Sequence, residues 1–373
     1  MATSNNNLRS LSQTRIASID ALRGFDMFWI IGGGAFFEIL AKVWKNPFTE
    51  TVKNQMEHVS WNGFHFEDLI FPLFLFIVGL VLPFSFSRRR EQGLGNKMLY
   101  LHIIKRAAVL VLLGLILNGL LRFNPADMRW PGVLQRIGLC YFFAALIVMR
   151  TGWFVQSIVT AGLLIGYWAL LTFVPVPGFG AGVLTPEGCL PAYIDQLLIP
   201  GKFCCFKYGD NEGLLSTMPA VATVLVGALA GHWLRSSFSG SRKTFAMAVA
   251  GIICLIAGYL WGLSFPIIKV IWTSSYVLFS AGWSLLLLAV FYLLIDVWGW
   301  KKWALFFVVI GVNPIAIYFF QGIVNFDDIA VFFVGGLASH AGQLKALIIP
   351  FASFAFKWFL LLFLYRHRIF FKI

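Results

Sequence analysis

Acidic residues are scarce in this chain. Only 16 of 373 residues are Asp or Glu, against 29 Lys or Arg, and the two signs together make up 12%. A soluble domain carries about twice that share. With 59% hydrophobic residues and a mean hydropathy of +0.81, the deficit excludes both a soluble globular domain and a disordered chain. Histidine and cysteine are also few: six and five, with no zinc-like spacing, so no metal site is expected. There is no phosphate-binding glycine loop and no nucleophilic-serine motif; Gly32-Gly33-Gly34 falls inside an apolar run and reads as close helix contact or a kink. Internal repeats and paired broken helices, which many transporters carry, are missing. The polar stretch Met1 to Ser18 has no apolar core, so no cleavable signal peptide is expected.

Long apolar runs fill the rest. About ten are long enough to cross a bilayer: roughly 19–41, 64–86, 101–121, 132–149, 153–174, 215–234, 245–263, 272–295, 303–323 and 344–365. A shorter stretch around 329–338, broken by Gly335-Gly336, reads as re-entrant or interfacial. The expected fold class is an all-α polytopic membrane protein in which residues 1–373 form one domain. Its partner is the lipid bilayer, with residues 1–18 as a tail and 174–214 as a long loop. With the N-terminus inside, the basic residues divide roughly 18 to 9 in favour of the cytoplasmic side. Both termini are therefore expected in the cytoplasm and the 42–63 segment outside. The net charge of +13 then needs no nucleic acid to explain it. Cys140 and Cys254 fall inside spans as packing residues, whereas Cys189, Cys204 and Cys205 share the long loop, where Cys189 could bridge to either of the others.

Polar residues near the apolar runs mark the chemistry. His58 opens the run His58-Val59-Ser60-Trp61-Asn62-Gly63, just before the second span begins with Phe64-His65-Phe66-Glu67-Asp68. Histidine titrates nearest neutrality, so an imidazole at the membrane edge is the default acid–base group; a loop histidine that only bonds its neighbours is the plainer alternative. Glu67 or Asp68 could anchor it. Along a regular helix His58 and Asp68 would lie about 15 Å apart, so pairing requires the 58–63 segment to fold back, which Gly63 permits. In the first span Asp20, Arg23 and Asp26 recur every third residue and form one stripe, suited either to a structural Asp–Arg pair or to function. Asn313, in Gly311-Val312-Asn313-Pro314, could stabilise an oxyanion or satisfy carbonyls that Pro314 frees.

Several segments carry a family likeness. Ser18-Ile19-Asp20-Ala21-Leu22-Arg23-Gly24 looks like the opening of integral-membrane acyltransferases. His58 to Gly63, followed by Asp68-Leu69-Ile70-Phe71-Pro72, resembles the heparan-α-glucosaminide N-acetyltransferase family. Further matches follow in order: Pro131 to Gly138, Val174 to Gly178, Tyr193-Ile194-Asp195, Glu212 to Thr217, Gly311 to Pro314, and the tail from Tyr365 to Ile373. The resemblance implies an enzyme that moves acetyl from cytosolic acetyl-CoA to the amino group of a terminal glucosamine across the membrane. It places the catalytic histidine at His58, acting as a base or as a nucleophile; the residues themselves offer Asp68 and Asn313 as its helpers. The coenzyme's phosphates would sit on Arg106, Arg366 and Lys372, with Arg23 nearby, because arginines bind phosphate through permanently charged forks. Glu57, Trp61, Asn62 and Arg136, in or beside the matching motifs, are the expected acceptor contacts. Two features depart from the family pattern. The lysosomal member has an added luminal domain, and it has an asparagine before its Gly-Gly-Gly where this chain reads Ile30-Ile31-Gly32.

The expected place is the inner membrane, and a homodimer is an expectation that no motif carries. Two other readings stay open. An O-acyltransferase of envelope polysaccharide or lipid-linked sugar shares the opening motif, and a transporter of amphiphiles or sugars would share the buried charge.

Overall fold

The computed structural model describes residues 16–371, and nearly all regular structure among them is helical. The first apolar run forms α1 (Ala17–Phe28) and α2 (Gly34–Val43), joined by a π-helical turn at Trp29–Gly33. Gly32 takes φ +139° there, a value that a residue with a Cβ adopts only under strain, so the glycine run is a kink. Then come α3 (Pro47–Met56), α4 (Glu67–Leu80), α5 (Leu82–Glu91), α6 (Asn96–Leu117), α7 (Val133–Arg150) and α8 (Trp153–Phe173). A short α9 (Leu190–Leu198) and a hairpin of β1 (Cys205–Phe206) and β2 (Gly209–Asp210) occupy the long loop. The chain continues as α10 (Thr217–Leu234), α11 (Gly240–Gly262), α12 (Ser274–Tyr292), α13 (Ala304–Gly311), α14 (Pro314–Gln321), α15 (Phe326–Ser339) and α16 (Lys345–Arg366).

Among the described residues, nine helical stretches are long and apolar enough to cross a membrane, and the pair α13–α14, bent by 69°, makes a tenth. Each expected span coincides with one of them. The bend lies at Asn313-Pro314, because proline has no N–H to continue the preceding helix and its ring clashes with the turn behind. The 329–338 stretch lies within α15, which at 14 residues is too short to cross alone. It lies along α16, with the Phe333 and Phe356 rings 5.2 Å apart.

Helices α4 and α10 form the centre. Gly79 and Gly227 face one another's helices so closely that a Cβ on Gly79 would overlap the carbonyl of Val224, and one on Gly227 that of Phe76. Small residues allow this approach, and apolar side chains such as Leu73, Leu75, Phe76 and Val224 close around it at near-zero exposure. The bundle has two polar ends. At one, Arg90 donates to the Met149 carbonyl (2.8 Å) and Arg235 to the Ser87 hydroxyl (2.6 Å). At the other lie His58 and the long loop.

Buried carboxylates fasten that loop. Asp195 accepts from the backbone N–H groups of Asp210 (3.2 Å) and Leu214 (2.9 Å). Asp210 in turn accepts both arms of Arg129, from Nε at 2.7 Å and Nη2 at 2.6 Å, and Glu212 takes a further bond from Nη2. Burial works against a charged Asp210, yet the Arg129 fork holds its carboxyl below the ordinary range. The cysteines differ from expectation. Cys204 is joined to its neighbour Cys205, and Cys189 stays a free thiol. Cys189 is fully buried at the head of α9 among Tyr167 and Ile271, whereas Cys205 is exposed on the hairpin.

Two predictions follow from this arrangement. Gly95 and Glu187 are exposed and lie at opposite ends of the bundle, while Cys140 and Cys189 are buried. In intact cells, Glu187→Cys should react with a membrane-impermeant maleimide and Gly95→Cys should not. External labelling of Gly95→Cys would overturn the orientation expected from the basic residues. The second concerns pH. Burial pushes the Asp195 carboxyl up to about 6 from the ordinary 3.8, against the two N–H groups that favour its charge. The raised value means that protonation stabilises the folded loop. This contribution is complete below about pH 4 and is lost as pH rises through about 6. Amide exchange across residues 190–214, corrected for intrinsic pH dependence, should show more protection at pH 5 than at pH 7. Asp195→Asn should flatten that difference, with some general loosening because one of the two accepting oxygens becomes an NH₂ that cannot accept.

Candidate active site

The site is built on the first turn of α4. Asp68 is 1% exposed and lies where Pro72, four residues on, has no N–H to offer the Asp68 carbonyl. The Tyr276 hydroxyl from α12 donates to that carbonyl instead, at 2.7 Å. This ties the turn to α12. The Asp68 carboxylate then gathers the preceding loop: Oδ2 accepts from His65 N (2.9 Å) and Val59 N (3.4 Å), and Oδ1 meets His58 Nδ1 at 3.0 Å. Gly63, at φ +127°, turns the chain back, and its N–H bonds the Ile267 carbonyl at 2.9 Å. The fold-back that an aspartate–histidine pair requires is therefore present.

Chemistry fixes the tautomer. A carboxylate only accepts, so the ring nitrogen facing it carries the proton, and Nε2 keeps its lone pair. Lys269 enters from the loop between α11 and α12, with Nζ 3.0 Å from Nδ1, 3.2 Å from Nε2 and 3.4 Å from Asp68 Oδ1. An ammonium only donates, so with Nδ1–H given to Asp68 its bond to the ring goes to Nε2. Burial pushes the Lys269 ammonium below its ordinary range, against the pull of Asp68. The His58 side chain is 54% exposed, so the ring is reachable while its Nδ1 edge is held on Asp68. Such an arrangement can take a proton from an incoming nucleophile, or attack an acyl group itself.

The other expected site residues divide. Glu57 and Asn62 are exposed beside His58. Trp61 is half-buried: its indole N–H donates to the Leu184 carbonyl (2.8 Å) and its ring meets Phe206 at 5.6 Å, pinning the long loop. Arg136, 1% exposed, lies over the Trp272 ring and donates to the Gly213 carbonyl (2.9 Å), which places it under the loop. Asn313 is turned to the C-terminal segment: Nδ2 donates to the Ile369 carbonyl (3.0 Å) and Oδ1 accepts from Phe371 N (2.9 Å). The kink that exposes this amide also brings the tail to it, so both halves of the amide are engaged. Arg106 lies half-way along α6 with its guanidinium 4.5 Å over the Tyr141 ring, not on a rim. Arg366 is exposed at the end of α16, Arg23 donates to Asp20 and the Gly311 carbonyl, and Lys372 lies outside the described residues. Glu67 turns from the histidine toward α2, where its Oε2 faces Gly34. Lys269 and Tyr276 were not anticipated. A lone lysine in the short loop between two spans on the histidine side was the available signal.

The chain is 27% identical to human heparan-alpha-glucosaminide N-acetyltransferase over 364 residues, covering 82% of this chain and 52% of that protein. It is 27% identical to the mouse protein of the same name over 371 residues, covering 83% and 54%. The chain thus spans about half the length of the curated relatives it matches. The family description "Heparan-alpha-glucosaminide N-acetyltransferase, catalytic" matches residues 15–258, a range that contains His58, Asp68 and Arg129. The chain belongs to this heparan-α-glucosaminide N-acetyltransferase catalytic family.

Proposed function

We propose that this protein transfers the acetyl group of cytosolic acetyl-CoA to the amino group of an amino sugar on the outer face of the membrane. The observation that carries the reading is His58, locked through Nδ1 on buried Asp68, with Nε2 left as the accepting nitrogen and Lys269 its one partner among the described residues. The family of the curated relatives supplies the reaction class.

The residues suit the step. The amine attacks the thioester carbonyl as Nε2 removes its proton, a carbon–nitrogen bond forms, and the carbonyl oxygen takes up negative charge. Collapse breaks the carbon–sulfur bond, and the imidazolium returns the proton to the departing thiolate. Asp68 stabilises the imidazolium between these events. Once Nε2 is protonated it no longer accepts from Lys269, and the ammonium is released toward the oxyanion. We assign Lys269 the stabilising role expected of Asn313. Arg106, inside the bundle beside Tyr141, and Arg366 are the groups proposed to meet the coenzyme's phosphates.

His58→Ala should still bind acetyl-CoA yet lose transfer by about 100-fold or more, the scale of a general base. Asp68→Asn should lose about as much, because an amide can hold the ring in the wrong tautomer. Lys269→Met should cost roughly 10- to 1,000-fold, and more than Asn313→Ala. Turnover of purified protein with glucosamine-ended saccharides measures all four; activity in His58→Ala within threefold of the parent would end the assignment. Mass spectrometry of the product separates N- from O-acetylation. The coenzyme assignment is tested apart from turnover. Arg106→Ala should weaken acetyl-CoA binding by calorimetry, and an unchanged affinity removes Arg106 from the site.

A further inference from the structure

A second polar hollow lies away from His58. It has a volume of about 290 Å³ and is lined by Gln321 at the end of α14, Asn325 and Asp327 at the start of α15, and Lys357 of α16. Such a set is unusual against membrane helices, where polar side chains lean toward function. Lys357 sits in the middle of an apolar helix. One of its three donors reaches the Ile31 carbonyl (2.8 Å), next to the Gly32 kink, and its ammonium lies 5.6 Å over the Phe326 ring. Its other N–H groups can serve a ligand. Asn325 caps α15 through Oδ1, accepting from Asp327 N at 3.1 Å, which leaves the NH₂ end of its amide on the hollow. Two amides, one carboxylate and one ammonium on a hollow of this size match a sugar ring, which offers hydroxyls that both donate and accept.

The hollow is at the His58 end of the bundle. Gly322 abuts Leu117, the last residue of α6, and the next turn of that chain is held to Arg129 through Asn118. Tyr318, one turn before Gln321, lies in the field of Glu212 and Arg129, and Glu212 in that of Lys269, which touches His58. The hollow and the imidazole therefore lie at the same end of the bundle. We propose that the Gln321–Asn325–Asp327–Lys357 hollow is a second saccharide subsite, holding an inner sugar of an acceptor whose terminal amino sugar is at His58. This rests on the reading of amino-sugar acetylation, and it commits the acceptor to a glycan of several residues.

The test compares glucosamine with a trisaccharide ending in glucosamine, on the purified full chain. Gln321→Ala and Asp327→Ala alter side chains on the hollow without touching His58, Asp68 or Lys269. Each should lower kcat/KM for the trisaccharide by about tenfold through KM, and leave glucosamine turnover within twofold. Equal losses on both substrates, or on neither, would overturn the proposal. Equilibrium binding of the trisaccharide without acetyl-CoA separates the subsite from the chemistry. The parent should bind it at least tenfold more tightly than either variant, even if no acetyl transfer is found. Parent and variants binding alike, while the parent acetylates glucosamine, would remove the subsite and leave the acetyltransferase reading standing.

Discussion

A single buried carboxylate organises the reactive end of this bundle. Asp68 is almost without solvent and its charge is met by donors brought from three places: the His58–Val59 loop, the His65 backbone and Lys269 of a distant connection. Removing water makes an unmet charge expensive, so each donor is held firmly. The same need orients the imidazole, because the nitrogen that faces the carboxylate must be the one that carries the proton. Structure and reactivity share one cause here. The group that folds the loop back also leaves Nε2 as the nitrogen that can accept a proton.

Proline placement underlies the site as much as charge does. Pro72 leaves the Asp68 carbonyl without its helical donor, and Tyr276 fills the vacancy from α12. Pro314 breaks the α13–α14 span, and the Asn313 amide beside the break is taken by the chain's own tail. A third interruption, the π-turn at Gly32, is met by Lys357 at the neighbouring Ile31 carbonyl. At Pro72 and at Gly32 a helix carbonyl in surroundings poor in water is met by a side chain from far along the chain, and at Pro314 the Asn313 side chain meets backbone groups of the tail. Those long-range partners set the relative positions of the helices.

The long loop is fixed by the same means at the membrane edge. Arg129, Asp195 and Asp210 form a charged network whose members lie in three separate segments, and Trp61 pins the loop to the histidine segment. The loop thus covers the flank of the site and leaves the imidazole edge open. Arg136, stacked on Trp272 beneath it, explains why an arginine can stand in the first turn of a membrane helix without facing lipid.

Hydropathy and run length, read from neighbouring residues, determined the helical class and the positions of the stretches long and apolar enough to cross a membrane, since a helix satisfies its own backbone and its burial follows local composition. The glycine kink, the break at Pro314 and the need for a fold-back at Gly63 were legible for the same reason: each is a local backbone constraint. Which side chains meet was not. Lys269 reaches His58 across 211 positions, Arg129 reaches Asp210 across 81, and Asn313 reaches Ile369 across 56. No local period encodes such pairs. Asn313 reads in the sequence as an oxyanion donor, yet tertiary contacts engage both ends of its amide on the tail. Charge buried far from water is settled by whichever partner the whole fold delivers, and only the assembled bundle decides that.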